Sequence, residues 1–238
     1  MRISVSMKKI EETKTEYGCE FCNRKFVREK TLLTHICETK NRWLDKDKIS
    51  NRLGYQSFLQ FYTKHTTAKK PKPYEDFIKS AYYIAFIKFG SFCSNVNVVN
   101  VSRYVDWLLG ENIKLDNWAT DSNYTKFLIE YLRKEDPFDA LARSVTYCAE
   151  LAEKDNIQPN DVLRYGNTNR ICYAITTGKI SPWMLYCSKS GVQFLETLNP
   201  DHVRMISDYI NPEQWALKFH REPELKERIK DTLKQAGY

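Results

Sequence analysis

Four dipeptides in the second half of the chain, Asp136-Pro137, Ser181-Pro182, Asn199-Pro200 and Asn211-Pro212, each place a helix-capping residue before a proline. The capping side chain satisfies an amide that the first helical turn leaves without a partner. Proline at the next position gives up only a donor that would have gone unused. Each pair marks a helix start, and four such starts read the C-terminal half as a set of short helices. Between them lie stretches with helical spacing of apolar residues: Phe77 to Phe89, through Ile78, Ala81, Tyr82, Ala85 and Phe86, and Tyr124 to Leu132. Only Val96 to Val101 alternates like a strand, and it could equally open the helix that holds Tyr104, Val105, Trp107, Leu108 and Leu109. The expected class is mainly α, with an all-α multi-helix domain over residues 75–238 behind a small N-terminal unit.

Residues 1–16 are polar and read as a flexible arm. Residues 41–66 carry Trp43, Leu44, Ile49, Leu53, Phe58, Leu59, Phe61 and Tyr62 mostly three or four apart, which gives a helical connector. The stretch TTAKKPKP interrupts it, because proline lacks the amide donor and restricts the residue before it. A basic linker is therefore expected at residues 67–74. No internal repeat or sustained heptad is present, which argues against solenoids and long coiled coils.

Residues 17–40 contain CEFCNRKFVREKTLLTHIC. Cys19 and Cys22 sit on a tight knuckle, and His35 is expected on a following helix, so two thiolates and an imidazole can meet one tetrahedral Zn²⁺. Phe26 and Leu32 supply a miniature core. In such a short unit, metal binding and folding are nearly one event. With these residues in register, the segment resembles a C2H2-type zinc finger in a C2HC variant. The family pattern expects the fourth ligand three to five residues after the histidine, where this chain has Thr39. Cys37 stands earlier, and it reaches the metal only if the helix ends or tightens near Ile36, since residues two apart point to different sides of a helix. Cys37 is the expected fourth ligand.

The resemblance implies base-contacting positions at Arg28, Lys30, Thr31 and Thr34. One finger spans about three base pairs, too few for useful specificity alone. Phosphate contact needs only charge and reach, which Arg24, Lys25, Arg28, Lys30, Lys40 and Arg42 offer, joined by Lys69, Lys70 and Lys72 of the linker. Charge distribution agrees with this. Of the net +7, residues 1–74 carry 17 Lys and Arg against 8 Asp and Glu, a local +9, while the remainder is −2. Two readings follow. In one, the basic head contacts nucleic acid non-specifically and the helical body recruits a protein partner. In the other, zinc is only a structural clip within an assembly component.

An enzyme is not expected. Beyond His35 the chain has only His65, His202 and His220, and it lacks a GxSxG elbow, a phosphate-loop glycine pattern and HExxH. No small-molecule substrate is anticipated. Seven cysteines with metal-type clustering point to a reducing cytoplasm, and Cys93, Cys148, Cys172 and Cys187 read as buried structural thiols. The start lacks a hydrophobic signal region, and apolar runs are too short for the roughly 20 residues a membrane span needs. The segment from Asp161 to Gly178 reads as two helices about a Gly166-Asn167 turn, a pattern shared by helix-turn-helix DNA binders and by any αα-hairpin. The lone finger, with abundant Lys, Asn, Ile and Tyr, loosely resembles accessory proteins of large tailed phages.

Overall fold

The computed structural model describes residues 16–65 and 70–238. The expected arm, apart from Glu16, and Lys69 of the linker lie outside the described residues. A two-stranded ribbon, β1 (Tyr17–Gly18) and β2 (Lys25–Phe26), leads into α1 (Glu29–Leu33) and α2 (Glu38–Leu44). There follow α3 (Ile49–His65), α4 (Tyr74–Lys79), α5 (Tyr83–Val96), α6 (Val101–Gly110) and α7 (Asp121–Lys134). The remainder comprises α8 (Pro137–Asp155), α9 (Val162–Tyr165), α10 (Thr168–Thr176), α11 (Pro182–Cys187), α12 (Lys189–Glu196), α13 (Pro200–Ile210), α14 (Pro212–Arg221) and α15 (Pro223–Gln235). The fold is mainly α, as the sequence indicates.

All four capped starts form. Asp136 Oδ1 accepts from the amides of Phe138 and Asp139 at 2.9 and 3.1 Å, and Ser181 Oγ accepts from that of Trp183 at 3.3 Å. Asn199 and Asn211 accept from the amides of His202 and Gln214 at 2.9 and 3.0 Å.

One expectation from periodicity is corrected and one alternative is decided. The apolar stretch from Phe77 to Phe89 is not one helix. It breaks at Ser80, whose backbone is extended (ψ 138) and whose Oγ accepts from the Tyr82 amide at 3.1 Å. A serine side chain that bonds the local backbone competes with the helical ladder. Of the two readings of Val96 to Val101, the strand does not form, and Val101 opens the following helix. Val96 closes α5, Asn97 turns left-handed at φ 57, and Asn100 caps α6 by accepting from the Arg103 amide at 3.0 Å.

Two hydrophobic cores result. The first joins α3 to α7 around aromatic side chains, with Phe58, Phe77, Phe86, Phe89, Tyr104 and Trp118 at most 1% exposed. The segment expected as a connector thus contributes a central helix of this core. α3 and α5 cross at a glycine pair: a Cβ on Gly90 would stand 2.0 Å from the Ser50 carbonyl oxygen and 2.7 Å from the Gly54 nitrogen. The second core gathers α8 to α15 around Trp183, Trp215 and Phe219.

Cys93 lies in the first core, and Cys148, Cys172 and Cys187 lie in the second. Burial pushes the thiols of Cys93 and Cys148 up to about 12 and that of Cys187 up to about 11. These are structural thiols, as expected.

The cores meet at a buried ion pair. Glu135 precedes α8, and its side chain is 1% exposed. Its Oε1 accepts from Arg143 Nη2 at 2.9 Å and Ser181 Oγ at 3.1 Å, and its Oε2 faces Arg143 Nη1 at 2.7 Å. Arg143 Nε also donates to the Gly178 carbonyl at 2.7 Å.

Candidate metal centre

The ribbon pairs antiparallel, Tyr17 with Phe26 and Gly18 with Lys25, which brings the ends of the Cys19–Cys22 knuckle together. The Cys19 amide donates to the Arg24 carbonyl at 2.9 Å, and the Asn23 amide to the Cys19 carbonyl at 2.8 Å. Asn23 adopts φ 57, a left-handed turn that asparagine tolerates. The Phe26 ring lies 4.7 Å from that of His35 and so buttresses the imidazole.

α1 holds only five residues and ends at Leu33, so His35 lies beyond the helix rather than on it. The early end frees Cys37 from the helical geometry that would point it away from His35. Free of helical geometry, the chain runs extended at Cys37 (φ −123, ψ 161), and Cys37 is the N-cap of α2.

One ligand atom from each of Cys19, Cys22, His35 and Cys37 lies within 4.8 Å of all the others, with Cys22 Sγ 3.3 Å from His35 Nε2. Tetrahedral zinc at ordinary Zn–S and Zn–N bond lengths separates its ligands by roughly 3.4–3.8 Å, so the cluster needs little contraction. Three thiols and an imidazole, without a carboxylate, form a donor set suited to Zn²⁺ and leave no open position for catalysis. Burial works to raise the Cys19 thiol, but hydrogen bonds from the Cys22 and Phe21 amides outweigh it and hold the pKa below the ordinary thiol value. The Arg24 amide favours the Cys22 thiolate, yet burial and the neighbouring Cys19 and Cys37 push that pKa up.

The centre is fastened to the helical body through α2. The Trp43 ring stands 6.1 Å from Phe21 of the knuckle and 5.8 Å from Tyr74 of α4. Arg42 Nη1 donates to the Ile78 carbonyl at 2.6 Å, its guanidinium lies 4.3 Å from the Tyr83 ring centroid, and Nη2 pairs with Glu38. The Tyr74 hydroxyl donates to the Arg42 carbonyl at 3.2 Å. Sequence reasoning missed these anchors; Trp43 showed only as one apolar helical position.

Several basic residues expected to meet phosphate are engaged internally. Arg42 points into the body, which removes it from that set, because its guanidinium is consumed by a carbonyl, a carboxylate and a ring. Lys25 pairs with Glu16 at 2.6 Å, Lys40 donates to the His35 carbonyl at 3.2 Å, and Lys72 lies 3.7 Å from Asp76 and 5.0 Å from the Tyr62 ring centroid. Thr34 Oγ1 donates to the Lys30 carbonyl at 3.1 Å. Arg24, Arg28, Lys30, Thr31 and Lys70 are exposed. Among the described residues, Arg24, Arg28 and Lys30 have no ion-pair partner.

In the segment from Asp161 to Gly178, α9 has only four residues. Arg164 lies 3.5 Å from Asp161 and Arg170 pairs with Asp155, so its arginines are already matched by acids.

No family model, curated protein or solved structure matches the chain. Among the described residues, no helix is long and apolar enough to cross a membrane.

Proposed function

We propose that Cys19, Cys22, His35 and Cys37 hold Zn²⁺ as a structural clip, and that the protein is a non-enzymatic assembly component built on its helical body. The carrying observation is the double role of Cys37, a ligand in the cluster and the N-cap of the helix whose Arg42 and Trp43 grip α4 and α5. An ion at this position ties the knuckle, α2 and the body together. Exposed Tyr165 and Tyr173 on the body are side chains of a kind enriched at protein interfaces.

The test is to purify the chain, measure metal content, and follow Trp43 by NMR with limited proteolysis before and after chelation. The expected result is one zinc per chain, and on its removal a shifted Trp43 indole and new cleavage within residues 16–48, with the rest of the body intact. A chain that retains no metal, or a chelated chain with an unchanged Trp43 and cleavage pattern, refutes the clip.

A second reading rests on the exposure of Arg24, Arg28 and Lys30, with Thr31 and Lys70 also open. These side chains support non-specific contact with nucleic acid phosphates. Fluorescence polarisation with labelled single- and double-stranded DNA and RNA decides it. Binding that weakens steeply with salt and falls when Arg24, Arg28 and Lys30 are changed to alanine supports this reading. No affinity at low salt refutes it.

A further inference from the structure

Between α6, α7 and the start of α8 lies a cleft of about 450 Å³, within the size range of small-ligand sites. Its wall is aromatic. Phe127 is buried as a floor, with Tyr131 stacked on it at 5.2 Å between centroids (interplanar 28°) and the Trp107 ring edge-on at 6.2 Å. Trp107 and Tyr131 are half-buried and so leave part of their rings at the opening. The Trp107 indole nitrogen is buried and has no hydrogen-bond partner among the described residues.

Charge selects among ligands. Glu130, Asp136 and Asp139 line the cleft together with Arg103 and Lys134, and Lys134 lies 3.5 Å from Glu130. Glu135, deeper in, is matched by Arg143. That leaves the carboxylates of Asp136 and Asp139 against the single cation of Arg103. Asp139 has no ion-pair partner among the described residues, and Asp136 also caps α8, so the helix N-terminus already has its anion.

The combination of two partly exposed rings, a third ring beneath them and the unpaired Asp139 carboxylate at the rim suits a cation. Ring faces are electrostatically negative and attract organic cations, whose desolvation costs less than that of a metal ion. An anion would meet both the ring faces and the surplus carboxylates. We propose that this cleft binds an organic cation, a quaternary ammonium or guanidinium group seated on Trp107 and Tyr131 and paired with Asp139. The inference is independent of the metal centre.

The test uses the full chain with its metal. Tetramethylammonium chloride and, at non-denaturing concentration, guanidinium chloride are titrated at constant ionic strength while the Trp107 indole resonance and Trp fluorescence are followed. tert-Butanol serves as the neutral isostere and sodium phosphate as the anion. Both cations are expected to give saturable shifts at Trp107, and the isostere and phosphate none. Trp107→Leu should weaken binding roughly 3- to 30-fold, the span of a cation–π contact.

Charge variants give the sharper discrimination, because Asp139 and Arg103 are exposed and their replacement leaves the core intact. Asp139→Asn should weaken the cations, and Arg103→Gln should tighten them by about two-fold or more, since exposed charges interact modestly. The proposal is overturned if neither cation saturates, if tert-butanol matches them, if phosphate saturates at the same resonance, if Asp139→Asn leaves cation binding unchanged, or if Arg103→Gln weakens it. Should Trp107→Leu fail to fold, the two charge variants decide the matter alone.

Discussion

The Glu135–Arg143 pair at the junction of the two cores gives a quantitative test of how the body is held together. Arg143→Met keeps a long apolar stem but removes Nη1, Nη2 and Nε. Glu135, its side chain 1% exposed, then keeps only the Ser181 hydroxyl as donor at 3.1 Å, and the Gly178 carbonyl loses its 2.7 Å partner. A buried charge stripped of its partner costs about 3–5 kcal/mol. For a chain of this length each kcal/mol moves Tm by roughly 2–4 °C, so the expected fall is roughly 6–20 °C. Burial already raises the Glu135 carboxyl above its ordinary 4.5 against the pull of Arg143, and the variant removes that pull. The native variant therefore keeps its proton to higher pH than the unfolded chain. Its stability is greatest below the unfolded pKa, falls as pH rises through the window up to the raised native value, and levels off above it. Urea denaturation at pH 5 and pH 8 should show a clearly larger deficit at pH 8. The double variant Glu135→Gln/Arg143→Met, which buries no charge, should recover much of the loss. Equal deficits at the two pH values, or a double variant as unstable as the single one at pH 8, would refute the assignment of the cost to an unpaired carboxylate.

Other consequences are as direct. Gly90→Ala would set a methyl 2.0 Å from the Ser50 carbonyl and force α3 from α5, so a loss of about 3 kcal/mol or more is expected in chemical denaturation. Asn199→Ala removes the acceptor of the His202 amide and should cost about 1 kcal/mol, a Tm drop of roughly 2–4 °C by calorimetry. Thiol labelling at pH 8 should separate two classes. Cys93, Cys148 and Cys187, held protonated by burial, should react only on unfolding, while the exposed Cys22 should react once metal is chelated. Rapid labelling of the three buried thiols in the native chain would contradict the packing of both cores.

Local chemistry was legible in the sequence, and distant pairing was not. A capping asparagine or aspartate finds its amide within three residues, so the four capped starts could be read directly and each is present. The knuckle, Phe26, Leu32 and His35 likewise lie within one short segment. Arg42 looked like a free surface cation because the carbonyl that takes it belongs to Ile78, 36 positions away. Glu135 and Arg143 carried no sign of burial, since Ser181 and Gly178 arrive from another part of the chain. The break at Ser80 was hidden because apolar spacing runs through it unchanged; the serine hydroxyl, not the pattern, decides where α4 stops. Gly54 in mid-helix was another overlooked local signal, as glycine in a helix often marks close backbone approach.

The single residue between His35 and Cys37 goes together with the break between α1 and α2. With one residue between His35 and Cys37, both cannot lie on the same face of a continuing helix; the chain leaves the helix at Leu33 and a new helix starts after Cys37. Here the new helix begins at Cys37 and reaches Trp43 six residues on, about 9 Å at the helical rise. A seven-residue helix is marginal alone, and α2 is held at one end by the ligand cluster and at the other by Tyr74, Ile78 and Tyr83. A metal held by the cluster and the docking of α2 would therefore order the same segment. Whichever came first would lower the entropic cost of the second, so under the proposed clip each would strengthen the other by an equal free energy.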